Sequence, residues 1–257
     1  MFECKINAGQ FKRIIESMTE LISECTCDVT QSELRIVSMD SSHVALVHVS
    51  LSCGGFLLYD CQTPTSFGFR PKTLLKLIKP FANEGTIQLR YNHGDAELLM
   101  LFESPSGDRV SHSSMKLVDI DQEDLNIPPF EHETKITMPS LEIKQMFKDF
   151  QAIGDVLNIS CNKEGVCFEV DGVDGSMNTI IAFPDPSAVP ANGNETIIDM
   201  KTACSNDFSL KYLNYFVKAT AAEQVSMELI TAQPMKFSYP LGEIGFVSFY
   251  LAPKIEE

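Results

Sequence analysis

Four short stretches of the chain, 10–22, 71–81, 139–151 and 208–219, carry apolar residues at helical spacing, and most of what lies between them alternates with a period of two. That combination confines the chain to folds in which a few one-sided helices lie on extensive β-sheet. In 10–22 the stripe is Phe11, Ile14, Ile15, Met18, Leu21 and Ile22, one buried helix face. In 71–81 it is Leu74, Leu77, Ile78 and Phe81, with Pro71 suited to a first turn and Pro80 ending the helix early. Ile143, Met146, Phe147 and Phe150 form the third stripe, and Leu210, Leu213 and Val217 the fourth. Period-two runs include 34–37, 44–49, 86–90, 98–102, 197–200, 225–229 and 246–251. Turn sequences such as Cys53-Gly54-Gly55, Asn92-His93-Gly94-Asp95 and Lys163-Glu164-Gly165 separate them. Strands closed through such short turns are antiparallel, so the expected class is α+β.

A chain of 257 residues holds one large domain or two of ordinary size. Residues 118–134 are acidic, contain Pro128 and Pro129, lack helical period and sit near the midpoint. They read as an interdomain linker between 1–117 and 135–257. On each side the order is helix then strands, helix then strands, which points to two similar domains, each with two helices packed on antiparallel sheet.

The few positive charges are segregated. The chain has 20 Lys+Arg against 35 Asp+Glu, a net of −15, yet the four helical stretches hold nine bases and four acids, leaving −20 elsewhere. Lys12 and Arg13 lie off the first stripe. Lys72, Lys76 and Lys79 line up on the second helix, Lys144 and Lys148 on the third, and Lys211 and Lys218 share a face with Asn214 and Tyr215. One such helix alone fits an ordinary solvated surface equally well; four in an acidic chain point to a polyanion. No helix-turn-helix, zinc-finger or RNA-binding aromatic signature accompanies them. Lysine faces of this kind contact phosphates weakly and without sequence preference. An acidic protein that grips so loosely needs a topological means of staying on its ligand.

Other classes find little support. Met1-Phe2-Glu3-Cys4-Lys5 lacks the apolar core of a signal peptide, and no apolar run is long enough to cross a bilayer. The eight cysteines are therefore expected to be reduced, mostly buried thiols of an intracellular protein. Cys25-x-Cys27 and Cys161-x5-Cys167 lack zinc-site spacing, and the alternation around Cys161 and Cys167 makes them strand residues. Asp119, Asp121 and Asp124 lack the ligand spacing of a calcium loop. With no glycine-rich phosphate loop, H-E-x-x-H or nucleophile elbow, neither catalysis nor a cofactor or metal is expected.

Several strings are similar to the proliferating cell nuclear antigen family, the eukaryotic sliding clamps. They are Ser38-Met39-Asp40-Ser41-Ser42-His43-Val44-Ala45-Leu46-Val47, Met115 to Asp121, Ile153-Gly154-Asp155, Lys163-Glu164-Gly165-Val166, Tyr212-Leu213-Asn214 and Tyr250 to Glu257. The resemblance implies a nuclear, non-catalytic homotrimeric ring around duplex DNA, helices lining the hole, which tethers polymerases and other replication and repair proteins. It places Lys12, Arg13, Lys76, Lys79, Lys144, Lys148, Lys211 and Lys218 on DNA-facing helices. Thr19 and Gln145 stand where the family often has a base, implying a looser phosphate grip. It also implies a pocket for short glutamine/aliphatic/aromatic peptides of polymerases, clamp loader, nuclease and ligase. The matching positions are Met39, His43, Val44, Leu46, Leu125, Ile127, Pro128, Pro234, Tyr250 and Ala252, with Asn126 replacing a common glycine. Ring closure is implied between 109–116 and 176–183 of the next subunit; Ser113 and Ser114 replace a usual tyrosine and acid, so the trimer is expected to dissociate readily. Lys163 matches a turn lysine that accepts ubiquitin-like modifiers. A subunit of a checkpoint-type heterotrimeric clamp is the alternative reading, ranked lower because those chains generally lack the 39–44 string intact.

Overall fold

The computed structural model describes residues 1–81, 84–120, 125, 127, 130–183 and 196–255. The chain divides into two compact units, Met1–Asn126 with Leu241–Val247, and Ile127–Pro240 with Ser248–Glu257. Much of the stretch expected to be a linker, including Asp121, Asp124, Asn126 and Pro128, lies outside the described residues.

In the N-terminal unit the order is β1 (Phe2–Asn7), α1 (Ala8–Met18), β2 (Cys25–Val29), β3 (Glu33–Met39), β4 (Ala45–Ser52), β5 (Leu58–Cys61), β6 (Thr65–Phe69), α2 (Pro71–Ile78), β7 (Thr86–Tyr91), β8 (Glu97–Glu103) and β9 (Val110–Lys116). Antiparallel ladders join β5-β1-β7-β8-β9 and β6-β2-β3-β4. The C-terminal unit runs β10 (Thr134–Pro139), α3 (Ser140–Gln151), β11 (Val156–Asn162), β12 (Gly165–Asp171), β13 (Ser176–Ala182), β14 (Ile197–Met200), β15 (Cys204–Ser209), α4 (Leu210–Phe216), β16 (Gln224–Leu229) and β17 (Met235–Pro240). Its ladders are β14-β10-β16-β17 and β13-β12-β11-β15. The last strand, β18 (Gly245–Leu251), has its first three residues in the N-terminal unit and the rest in the C-terminal one. Each half therefore reads strand, helix, five strands, helix, three strands. By this order β9 corresponds to β18 and β13 to β4.

Each helix forms where its stripe finds apolar sheet. Phe11, Ile14, Ile15 and Met18 of α1 are buried, and its first turn is capped by the Asn7 side chain accepting from the Gln10 amide at 2.9 Å. In the N-terminal unit α1 and α2 pack on each other, α1 also meeting β1 and β7, and α2 meeting β9. In the C-terminal unit α3 and α4 pair, over β10 and β15. There Phe216 stacks on Phe249 with ring centroids 4.6 Å apart, and Tyr239 donates to the Phe216 carbonyl at 3.2 Å. Burying each such ring contributes about 2–3 kcal/mol.

Helix ends differ from the periodicity. The first helix starts at Ala8 and stops at Met18, where the Thr19 hydroxyl donates to the Glu16 carbonyl at 2.9 Å. Ile22 stays buried through a turn, its amide on the Met18 carbonyl at 3.0 Å. The second helix ends at Ile78 and tightens into a 3₁₀ turn, Lys79–Phe81, because Pro80 has no amide to continue the ladder. The fourth spans only Leu210–Phe216, since Phe208 and Ser209 pair with Leu157 and Val156 in the β15–β11 ladder. Among the described residues no helix is long and apolar enough to cross a membrane.

Candidate nucleic-acid interface and peptide pocket

The helix surfaces opposite the buried stripes are basic. Arg13, Lys72, Lys76, Lys79, Lys148, Lys211 and Lys218 are exposed, and Lys12 and Lys144 half-buried. None of Lys12, Arg13, Lys72, Lys76, Lys79, Lys148 and Lys211 lies within ion-pair distance of a carboxylate among the described residues. Strand cations behave differently. Arg90 pairs with Glu3 at 3.0 Å, Lys135 with Glu228 at 3.6 Å, Lys236 with the same Glu228 at 3.5 Å, and Lys5 with Glu103 at 2.6 Å. Arg35 and Lys116 are the strand exceptions among the described residues.

Two positions singled out in the sequence have specific local duties. The Lys144 ammonium donates to the Lys218 carbonyl at 2.8 Å, just beyond α4, so part of its hydrogen-bonding capacity ties α3 to the negative end of its neighbour. Asn214 strengthens the same contact, donating to the Phe147 and Leu210 carbonyls at 3.2 and 2.9 Å. Gln145 is exposed and donates to Asp149 at 2.7 Å. Thr19 is only 5% exposed, its side chain turned to the backbone rather than to solvent.

In the N-terminal unit a cavity of about 230 Å³ is lined by Val37, Met39, His43, Ile120 and Leu125, with Glu24 at its edge. Its shape depends on Asp40, buried at the end of β3. That carboxylate accepts from the amides of Ser42 (3.1 Å), Val44 (2.8 Å) and Ala45 (2.7 Å), which folds Asp40–Val44 into a tight loop. The loop holds His43 at φ 55°, in the left-handed region, with its side chain exposed at the cavity. Asp40 was not among the expected site residues; the Asp-Ser-Ser sequence at a strand end is the signal for such a side-chain turn. Val44 and Leu46 are half-buried outside the lining.

The remaining expected pocket positions belong to the C-terminal unit. Tyr250 is half-buried, its ring 6.3 Å from that of Phe130, and burial followed by the Glu228 carboxylate raises its hydroxyl above the usual range. Ile127 and Ala252 are half-buried, and Pro234 is exposed. The turn before Pro234 holds Ala232 at φ 57°, with Asn206 accepting its amide at 2.8 Å and Glu133 accepting from the Thr231 amide and hydroxyl at 2.9 and 2.8 Å.

Lys163 is exposed at the tip of the β11–β12 hairpin, where Asn162 pairs with Gly165 and accepts from the Glu164 amide at 2.8 Å. Strands β9 and β13 are each the last strand of their ladders. The thiols of Cys4, Cys25, Cys27, Cys61, Cys161 and Cys204 are buried, and burial pushes Cys4 up to about 12.

Two similar α+β units, each with paired helices on antiparallel sheet, define the DNA clamp fold. Family models match both: proliferating cell nuclear antigen, N-terminal domain, over residues 1–125, and proliferating cell nuclear antigen, C-terminal domain, over residues 126–254. The chain belongs to the proliferating cell nuclear antigen family, whose members are non-catalytic clamps of DNA replication and repair.

Proposed function

We propose that this chain is the subunit of a homotrimeric ring that encircles duplex DNA in the nucleus and acts as a processivity factor for polymerases. The observation that carries the reading is the set of helix cations with no carboxylate partner among the described residues. Unneutralised lysines on helix faces attract phosphates through counterion release without reading bases, the requirement for a ring that must slide. Lys12, Arg13, Lys76, Lys79, Lys148 and Lys211 supply this attraction, with Lys144 divided between it and its bond to the Lys218 carbonyl; the family resemblance adds Lys218 to the DNA-facing set.

The pocket at Met39, His43 and Leu125 takes apolar side chains of a short helical peptide from polymerase, clamp loader, nuclease or ligase, the Met39 thioether adapting to different anchors. The family resemblance assigns Val44, Leu46, Ile127, Pro128, Pro234, Tyr250 and Ala252 to the same task. The ring closes by adding β9 of one subunit to β13 of the next, satisfying two open edges. Lys163, on an exposed hairpin tip, is the acceptor for a ubiquitin-like modifier.

The test is polymerase extension on primed circular DNA after loading. The wild-type chain is expected to lengthen products, and Lys76→Glu with Lys79→Glu to lose most of that gain at low salt. Absence of any wild-type gain at every salt concentration sinks the reading.

A further inference from the structure

The internal duplication that matches β9 with β18 also matches β2 with β11, β3 with β12 and β6 with β15, and it gives the Met39 pocket a counterpart in the C-terminal unit. In the N-terminal unit the chain leaving β9 crosses β6, the Val118 amide donating to the Gly68 carbonyl at 2.9 Å. In the C-terminal unit the chain leaving β18 crosses β15 in the same way, the Lys254 amide donating to the Asp207 carbonyl at 2.7 Å. Gly68 therefore corresponds to Asp207, and their register partners Thr26 and Asn158 correspond to each other. One residue further, Cys27 faces Ile36 as Ile159 faces Phe168. Counting on along β3 and β12 aligns Val37 with Glu169 and Met39 with Asp171.

Asn158, Glu169, Asp171 and Asp207, with Val156, Lys254 and Ile255, line a groove of about 560 Å³. The two hollows share a construction and differ in chemistry. In the N-terminal unit the crossing segment lies so close that a Cβ on Gly68 would come within 2.3 Å of the Val118 carbonyl oxygen and 2.9 Å of the Ile120 side chain. Val37, Met39 and Ile120 present apolar surface there. In the counterpart, carboxylates stand at the positions of Val37, Met39 and Gly68. Asp207 accepts from the Asn158 side-chain amide at 2.7 Å. Glu169 and Asp171 are exposed, with no cation in ion-pair distance among the described residues. Glu169 and Asp207 flank Asn158 on the two neighbouring strands, and Glu169 and Asp171 share one face of β12. Like charges so placed weaken a sheet. Glu169 and Asp171 therefore do not serve the fold and are available to an external cation.

We propose that this groove is a second docking site, whose occupant is a lysine- or arginine-bearing segment of a partner protein. Three carboxylates against the one ammonium of Lys254 set the sign of the ligand, while Val156 and Ile255 offer apolar surface to the stems of its basic side chains. Glu256 and Glu257, the next residues of the chain, carry the wrong charge to fill it. The inference rests on the reading of the Met39 pocket as a peptide acceptor, of which the groove is the duplicate with its preference changed from apolar to basic.

The experiment is fluorescence anisotropy at low salt, with the full chain and a labelled octapeptide of alternating lysine and alanine. Wild type is compared with Glu169→Gln plus Asp171→Asn. A control for the overall acidity of the chain is Glu164→Gln plus Glu243→Gln, which removes the same charge from exposed positions outside the groove. The groove variant is expected to bind about tenfold more weakly, and the control to stay within about twofold of wild type. Its urea midpoint is expected to be no lower than that of wild type, so the lost binding is not lost folding. Equal losses in the groove and control variants, or an unchanged affinity in the groove variant, overturn the proposal. A glutamine/aliphatic/aromatic peptide titrated in parallel separates the two readings. If it binds and weakens with Met39→Ala while the lysine peptide does not bind, only the second groove falls. If neither peptide binds, the reading of the Met39 pocket falls with it.

Discussion

Cations on the strands and cations on the helices meet different company. Glu3 stands directly opposite Arg90 in the β1–β7 register, and Glu228 directly opposite both Lys135 and Lys236. Lysines on the helices face one another instead: Lys72 and Lys76 are one turn apart, as are Lys144 and Lys148. Cross-strand opposite charges stabilise a sheet, while like charges at i,i+4 destabilise a helix. Paired strand charges therefore serve the fold, and helix charges other than Lys144 are held in spite of it. In an acidic chain, lysines that do not serve folding are available to an external anion.

The comparison breaks first at Glu228, 7% exposed between two ammonium groups. Glu228→Gln is expected to lower unfolding free energy by about 2 kcal/mol, read from urea titrations, because two buried-stem lysines lose their counter-charge. An unchanged midpoint means the strand pairs do not serve the fold. Next comes Lys76→Glu with Lys79→Glu, expected to weaken attraction to duplex DNA about tenfold at low salt and progressively less as salt rises, with folding stability held. Lys144→Met probes the intermediate case; loss of its bond to the Lys218 carbonyl costs about 1 kcal/mol and loosens amide protection at the end of α4. It should lower DNA attraction less than Lys148→Met does. The smallest effect has the opposite sign: Lys72→Glu, in the first turn of α2 and one turn before Lys76, is expected to stabilise the fold by about 0.5 kcal/mol while weakening DNA attraction.

Much of this contrast was legible in the sequence because helical stripes are local. Phe11, Ile14, Ile15 and Met18 announce a buried face, and Lys12 and Arg13 fall off it whatever the rest of the chain does. The ends were less legible, since Asn7 capping and the β15 pairing of Phe208 and Ser209 are decided by geometry rather than by period. Strand β1 is weakly marked: Phe2, Cys4 and Ile6 alternate as a strand should, but the alternation lasts only 6 residues. The Glu228 pairs were invisible for a deeper reason: register between distant strands sets them, and Lys135 and Glu228 lie 93 positions apart in the chain. At the pocket, the string containing Met39 and His43 was recognisable, but the role of Asp40 was not. A buried carboxylate gathering three backbone amides is a property of the folded loop.

The most direct test of the helix-face claim is the salt dependence of DNA binding for three proteins: wild type, Lys76→Ala with Lys79→Ala, and Lys135→Ala with Lys236→Ala. The account predicts that the helix double variant reduces the slope of log affinity against log salt by about 2, while the strand double variant keeps the wild-type slope. Equal losses from both, or none from the helix variant, would contradict it.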